Sequence, residues 1–306
     1  MREWKVKSHQ AQQRIDVFLQ SETLHSRNLI QNLIKDELVL VNQKPCKANY
    51  IIKVDDVITL YEPDEKTFDL KPVNLNLEVV YEDEYLAVIN KPKDLIVHPS
   101  DSFYDVTLIN GLLYQFKHLS NRDDPIRSGI VHRLDKDTSG LLVIAKDDLV
   151  HDKLQKLFKN RQVEKHYLAI CYNEFKELSG TIDKPIVRHK KWRQQMTTAA
   201  TGRSAITHYE VLNQYNGFSY VKLNLITGRT HQIRVHLKSI YHPILGDPIY
   251  GPKKVYGKTG PFLHAAELSF THPITKKRLN LSVEPPIEFI NELTNRHLID
   301  EIHSGN

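Results

Sequence analysis

Apolar positions along the chain repeat with two periods, and the changes between them mark its elements. Leu29, Ile30, Leu33 and Ile34 recur at helical spacing, with Ser26 placed as an N-cap before them, and Ile15, Phe18 and Leu19 form a shorter apolar face upstream. Leu38–Val41 and Val54–Leu60 read as strands, the first followed by the turn Asn42–Lys44. Two short helices and a hairpin over residues 12–60 make a compact module. Glu62–Asn76 is acidic, carries Pro63 and Pro72, and has no period, so it reads as a linker. The expected division is a small module over 1–61, a linker over 62–76 and a large domain over 77–306.

In the large domain, Leu77–Tyr81 and Tyr85–Ile89 flank the acidic turn Glu82–Glu84, a hairpin signal. The run Leu141–Ala145 is apolar at every position, as in a strand buried on both faces. Val150, Leu154, Leu157 and Phe158 mark an amphipathic helix opened by Asp147 and Asp148. Val163–Cys171, Ala205–Leu212 and Phe218–Ile226 read as further strands. Gly228 turns the chain into a helix that Thr230 can cap and whose buried stripe is Ile233, Leu237 and Ile240. A last helix carrying Ile287, Ile290 and Leu293 follows Pro285 and Pro286. Hairpins with a few helices predict an α+β fold with a largely antiparallel mixed sheet.

Composition narrows the class without naming it. The 306 residues suffice for one large core and one small one, and the net charge of +5 suits a polyanionic partner without requiring one. Cys46 and Cys171 are the only cysteines and lie far apart, against a disulfide framework or a zinc–cysteine site and in keeping with a reducing cytoplasm. The polar start has no apolar signal core, and no apolar run approaches the ~20 residues that span a bilayer. A soluble, cytoplasmic protein without a membrane partner is expected.

Candidate chemistry gathers in three places. The turn His132–Gly140, beside the buried run, holds His, Arg, two Asp, Lys, Thr and Ser, a dense set of functional groups on a rigid support. Thr227–His236 is the second; its His231 and His236 are five apart, off the spacing of a helical metal pair, so no metal site is read there. The third is Lys184–Ile206, which has six Lys or Arg, no Asp or Glu, and Trp192. Such a segment suits RNA backbone and base contacts, with Lys190, Lys191 and Arg193 as candidates. In the module, Arg14, Arg27 and four lysines are diluted by as many acidic residues.

His132-Arg133-Leu134-Asp135 followed by Thr138-Ser139-Gly140 resembles the signature of the RluA family of pseudouridine synthases. Lys165–Ala169 resembles the family segment that supplies an active-site tyrosine, and Thr227–His236 the motif with its arginine. The resemblance implies Asp135 as catalytic carboxylate, Tyr167 stacked on uracil, Arg234 against Asp135, and Arg133, His132 and Arg229 at the RNA. Asn90–Pro92 and Val97–Pro99 are similar to an early motif lining the family's cleft. His242–Gly251, Leu263–Ala265 and His272–Pro273 complete the match and are read as structural turns. Arg14–Asp16, Ser26–Arg27, Gln31 and Val41–Asn42 resemble the alpha-L (S-four-type) RNA-binding motif, which makes Arg14 and Arg27 RNA contacts.

The implied reaction isomerises uridine with no cofactor. The implied partner is RNA, ribosomal first and transfer RNA second, bound by a monomer. Two rival readings remain at this point. A glycosidase or nucleosidase needs a second acid, for which Asp137 is nearest but has no environment suggesting a raised pKa. A catalytically silent RNA-binding or ribosome-assembly protein needs none of the three site residues.

Overall fold

The computed structural model of the chain describes residues 1–23, 25, 27–61, 70–99, 105–121, 127–252 and 260–299. It has two compact units, Met1–Asp69 and Leu70–Asn306. The first contains β1 (Arg2–Lys5), α1 (Ile15–Glu22), α2 (Arg27–Lys35), β2 (Val39–Val41), β3 (Lys44–Pro45) and β4 (Val57–Leu60). Its strands lie in the order β1-β4-β2-β3, all antiparallel. Ile15, Phe18 and Leu19 of α1 and Ile30, Leu33 and Ile34 of α2 share one core with Val39, Val41, Ile58 and Leu60. Each such side chain contributes about 1.5–3 kcal/mol on burial, so the helical stripes are what hold the helices to the sheet. β1 was not expected, because Arg2-Glu3-Trp4-Lys5 has no apolar alternation; edge pairing with β4, from Arg2↔Leu60 to Lys5↔Val57, makes it a strand. Ser26 lies outside the described residues.

The second unit contains β5 (Glu78–Glu82), β6 (Leu86–Lys91), α3 (Leu108–Gln115), β7 (Ser139–Ala145), α4 (Asp148–Lys159), β8 (Glu164–Tyr172) and β9 (Ser179–Asp183). It continues through β10 (Ile186–Arg188), β11 (Met196–Thr198), β12 (Ile206–Tyr215), β13 (Phe218–Leu225), α5 (Gln232–Ser239), β14 (Leu263–Thr271), β15 (Arg278–Ser282) and α6 (Ile287–Asn295). Of the stretch read as linker, 62–69 lies outside the described residues. Residues 70–76 pack on this unit: Val73 N donates to Asn110 O, Asn110 Nδ2 donates to Lys71 O, and Leu70 and Leu75 lie on its core.

A nine-stranded sheet runs β5-β6-β7-β14-β8-β13-β12-β9, with β15 on β14. β7 and β14 are parallel, and the other described pairs of this sheet are antiparallel. Alternate residues of β6 and β7 enter two cores, Ala87, Ile89, Leu142 and Ile144 on one face and Leu86, Val88, Leu141 and Val143 on the other. That double burial is why the run Leu141–Ala145 of β7 is apolar at every position. Gly140 has φ +113°, and a Cβ there would sit 2.2 Å from Ala265 O, so the motif glycine lets β7 start against β14.

Asp147 caps α4, its Oδ1 accepting from Val150 N at 3.0 Å. Two local features add to the expected picture or change it. The basic segment 184–206 is built around the hairpin β10–β11, in register Ile186↔Thr198 to Arg188↔Met196. The N-cap of α5 is His231, in the left-handed conformation at φ 55°, and not Thr230. Gln232 does the local work a cap would do, its Oε1 accepting from Arg229 N and Thr227 Oγ1.

Candidate active site

Asp135 stands in the turn that leads into β7, its side chain 21% exposed. Two contacts fix that turn. Thr138 N donates to Asp135 O, and Lys91, the buried last residue of β6, donates from Nζ to Pro92 O, Leu95 O and Lys136 O at 2.7–3.0 Å. Burial lowers the Lys91 pKa to about 8, against the opposing charges of Asp137, Asp135 and Asp94. A lysine at a strand end is ordinarily wet; this one is held by carbonyls, one of them on the residue next to Asp135.

Arg234 faces Asp135, with Nη1 3.7 Å from Oδ2. Arginines on helices are ordinarily exposed, but this one is 2% exposed. The rest of its guanidinium is held by Asp247, Nε to Oδ2 at 2.7 Å and Nη2 to Oδ1 at 2.8 Å. Asp247 is itself buried, and its Oδ1 also accepts from Ile249 N and Tyr250 N, both at 2.9 Å. Burial disfavours the charged guanidinium, yet the bond to Asp247 and the charge of Asp135 outweigh it and raise the pKa. His242–Gly251, read as a structural turn, therefore carries the residue that aims Arg234.

Tyr167, in the middle of β8, is buried and lies beside Leu223 of β13 and Ala265 of β14. Burial, then the charge of Asp135, raises its phenol pKa beyond the physiological range, so it stays protonated. Asp135, Tyr167, Arg234, Arg133, Arg229 and His231 line one cavity of about 120 Å³. A second space of about 500 Å³ shares Arg133, Tyr167 and Arg229, and adds Lys159, Arg161 and Lys165 with no carboxylate in its wall.

The remaining candidates divide. His132 does not present a cation to RNA: its Nε2 accepts from Val143 N at 2.9 Å, and its ring stacks on Phe158 at 4.3 Å. Burial, then Lys165, lowers its pKa to about 3. Lys190, Lys191 and Arg193 lie exposed at the tip of the β10–β11 hairpin without an ion pair among the described residues; Lys191 Nζ sits over the Trp192 ring at 5.6 Å. Arg229 donates from Nε to Ser204 O at 3.1 Å. In the smaller unit, Arg14 grips Asp16 with Nε and Nη2, both at 2.9 Å, and Arg27 Nε reaches the same carboxylate at 3.2 Å.

Asp137 also differs from expectation. Burial and a hydrogen bond with Asp94 raise its pKa, but it lies off the wall of the Asp135 cavity, so it supplies no second acid there. His98 and Pro99 lie off that wall as well.

A mixed-sheet α+β protein with a carboxylate and an arginine facing each other in a basic, tyrosine-lined cavity is an enzyme architecture for an anionic, ring-bearing substrate. Residues 85–239 match the RNA pseudouridylate synthase family, and residues 13–58 match the S4 domain. An uncharacterized RNA pseudouridine synthase of Bacillus subtilis (strain 168) is 42% identical over 287 residues, covering 94% of this chain and 95% of that protein. Ribosomal large subunit pseudouridine synthase D of Zymomonas mobilis is 39% identical over 274 residues, 85% and 86% of the two chains. Among solved structures, human RNA pseudouridylate synthase domain containing 4 superposes with a TM-score of 0.57 at 30% identity, over 72% of this chain and 93% of that one. The chain belongs to the RNA pseudouridylate synthase family, with an S4 domain at its N-terminal end, and is an isomerase of RNA uridine.

Proposed function

We propose that this chain converts specific uridines of large-subunit ribosomal RNA to pseudouridine, as a monomer in the cytoplasm, with Asp135 as the reacting carboxylate. The observation that supports the role is the pairing of Asp135 Oδ2 with Arg234 Nη1 at 3.7 Å in the cavity that Tyr167 also lines. The substrate class rests on the relatives named for the ribosomal large subunit.

The reaction breaks the N1–C1′ bond, turns the uracil, and forms a C5–C1′ bond; C5 loses a proton and N1 gains one. Asp135 either attacks C1′ or takes the C2′ proton, and both routes need it ionised. Arg234 Nη1, 3.7 Å from Oδ2, orients the carboxylate. Tyr167, protonated and buried, stacks on the uracil and offers a donor. A stacked uridine must first be extruded, at a cost of a few kcal/mol, and Arg133, exposed in the wall of both spaces, fills the vacated stack with its planar guanidinium. The S4 domain and the β10–β11 hairpin contribute affinity for RNA.

Asp135→Asn keeps size and most hydrogen bonding but removes charge. Pseudouridine formation, followed by carbodiimide-adduct primer stops, should fall below detection while RNA affinity holds within a few-fold, because phosphate contacts carry most of it. A melt alongside separates lost chemistry from unfolding. Near-parental turnover by the folded variant would remove Asp135 from the reaction. Mapping pseudouridines in cells with and without the gene tests the ribosomal target.

A further inference from the structure

The hydroxyl of Tyr250 sits at a junction that neither the motifs nor the relatives explain. It accepts from Met196 N, at the start of β11, at 2.8 Å, and lies 2.8 Å from His231 Nδ1. Tyr250 is 2% exposed, and its ring is flanked by Arg234 Cζ at 5.1 Å and Lys238 Nζ at 5.6 Å, so the phenol is fixed in place. His231 lines the cavity with Asp135, held there by a left-handed backbone that a non-glycine residue adopts only under constraint.

A phenol has one proton. That buried proton is satisfied only if His231 Nδ1 accepts it, since no other acceptor among the described residues lies within hydrogen-bond distance of the phenol, whose oxygen accepts from Met196 N. Burial raises the Tyr250 pKa and lowers that of His231, the latter against the pull of Asp135, so both groups are neutral. A neutral imidazole that accepts at Nδ1 carries its proton on Nε2. No hydrogen bond to Nε2 is made among the described residues. A fixed donor without a protein acceptor, in the wall of a reaction cavity, is placed to meet an oxygen of the substrate.

We propose that His231 donates its Nε2–H to a carbonyl oxygen of the target uracil, and that Tyr250 is the positioning residue that keeps His231 in this tautomer. The inference rests on Asp135 reacting at the sugar of the same nucleotide. When the N1–C1′ bond breaks, its electron pair leaves with the uracil and spreads onto the carbonyl oxygens. His231 keeps its proton throughout and bonds the charged ring more strongly than the neutral one, so its effect belongs to the rate and not to ground-state affinity.

The test uses the full chain and an in vitro transcript of the host's large-subunit ribosomal RNA, with kcat and KM read by nucleoside chromatography and folding by thermal melt. His231→Ala should lower kcat about 100-fold with KM within about two-fold. His231→Gln, whose amide N–H needs no tautomer, should recover a share of that loss. Tyr250→Phe should lower kcat about ten-fold in the parent, and cost nothing further in the His231→Gln background. Additive losses in that double variant, or losses confined to KM, overturn the proposal. So does an unchanged kcat in folded His231→Ala. A parent that makes no pseudouridine in this RNA overturns the ribosomal reading, and this inference with it; a parent that does, beside indifferent variants, overturns only this one.

Discussion

Each unit of the molecule holds an arginine–aspartate cluster built on a fully buried carboxylate, and the two are put to different ends. In the smaller unit, Asp16 is 0% exposed and gathers Arg14, Arg27 and Gln31 around it, while the arginine side chains stay 42% and 48% exposed. In the larger unit, Asp247 is equally hidden, but the arginine it grips is buried too, at 3% side-chain exposure. Burying the cation changes what the pair can do. Arg14 and Arg27 keep part of their charge in water, where a phosphate can reach it. Arg234, with two nitrogens spent on Asp247, has only Nη1 left over, and that atom faces Asp135. One cluster shapes a charged surface; the other turns a helix arginine into a fixed neighbour for one carboxylate.

The largest effect is expected from Asp247→Asn. It leaves Arg234 buried with its main charge partner gone, which costs on the order of 3–5 kcal/mol for a broken buried pair. The same change at Asp16 should cost far less, because its arginines can turn to water. Thermal melts of the two variants check the ranking. Turnover of folded Asp247→Asn should fall by at least ten-fold, since a guanidinium free to swing no longer holds Asp135. Equal losses of stability at the two sites would dissolve the contrast.

Much of the candidate cluster was legible because each of its residues sits in a segment readable by itself, although the fold alone brings them together. Asp135 precedes a strand whose apolar run shows in the sequence, and Tyr167 and Arg234 lie within recognisable segments. Asp247 was not, for a physical reason: it acts on Arg234 from 13 residues away, through a turn whose Gly and Pro positions invite a purely structural reading. Lys91 is a similar case, since its ties to Lys136 O span 45 residues and periodicity cannot see them. His132, implied at the RNA, stands in the wall of the larger space, where stacking on Phe158 and a bond to Val143 N, which no local pattern shows, fix its ring. In the fold, the helical stripes and the β6–β7 run were visible because one face or both are buried. β1 was not, because edge pairing with a partner more than 50 positions away, and no alternation of its own, makes it a strand.

A smaller effect should appear on acidification. Burial works to raise the Asp16 pKa, but bonds from Arg14, Gln31 and Arg27 outweigh it and hold it at about 2, below the usual 3.8. A carboxylate with a depressed folded pKa adds stability above the unfolded value and loses it as pH falls through the folded one. The shift caps that contribution at about 2 kcal/mol, and half-exposed arginines reduce it to on the order of 1. Melts of the parent and Asp16→Asn should therefore differ by a constant amount above about pH 5 and converge between about pH 4 and 2. A gap that persists to the acid end would assign the Asp16 contribution to packing and not to charge.

The smallest effect separates paired from unpaired cations. Lys190, Lys191 and Arg193 stand exposed on the β10–β11 hairpin with no carboxylate against them among the described residues, whereas Arg14 and Arg27 share Asp16. If hairpin cations meet RNA phosphates, neutralising all three should flatten the slope of log affinity against log salt by ~0.7 for each single-strand phosphate left without its cation. Turnover at saturating RNA should stay near the parent value, since the hairpin tip lies outside the wall of the Asp135 cavity. Asp16→Asn runs the other way: it unmasks one net positive charge and should steepen the slope, by less than one neutralised phosphate would, because the arginines were already half in water. Filter binding from about 50 to 200 mM salt reads both changes. A hairpin variant with an unaltered slope would mean that its cations are solvated and touch no phosphate, leaving Arg133, Arg229 and the Lys159–Lys165 wall to carry the RNA.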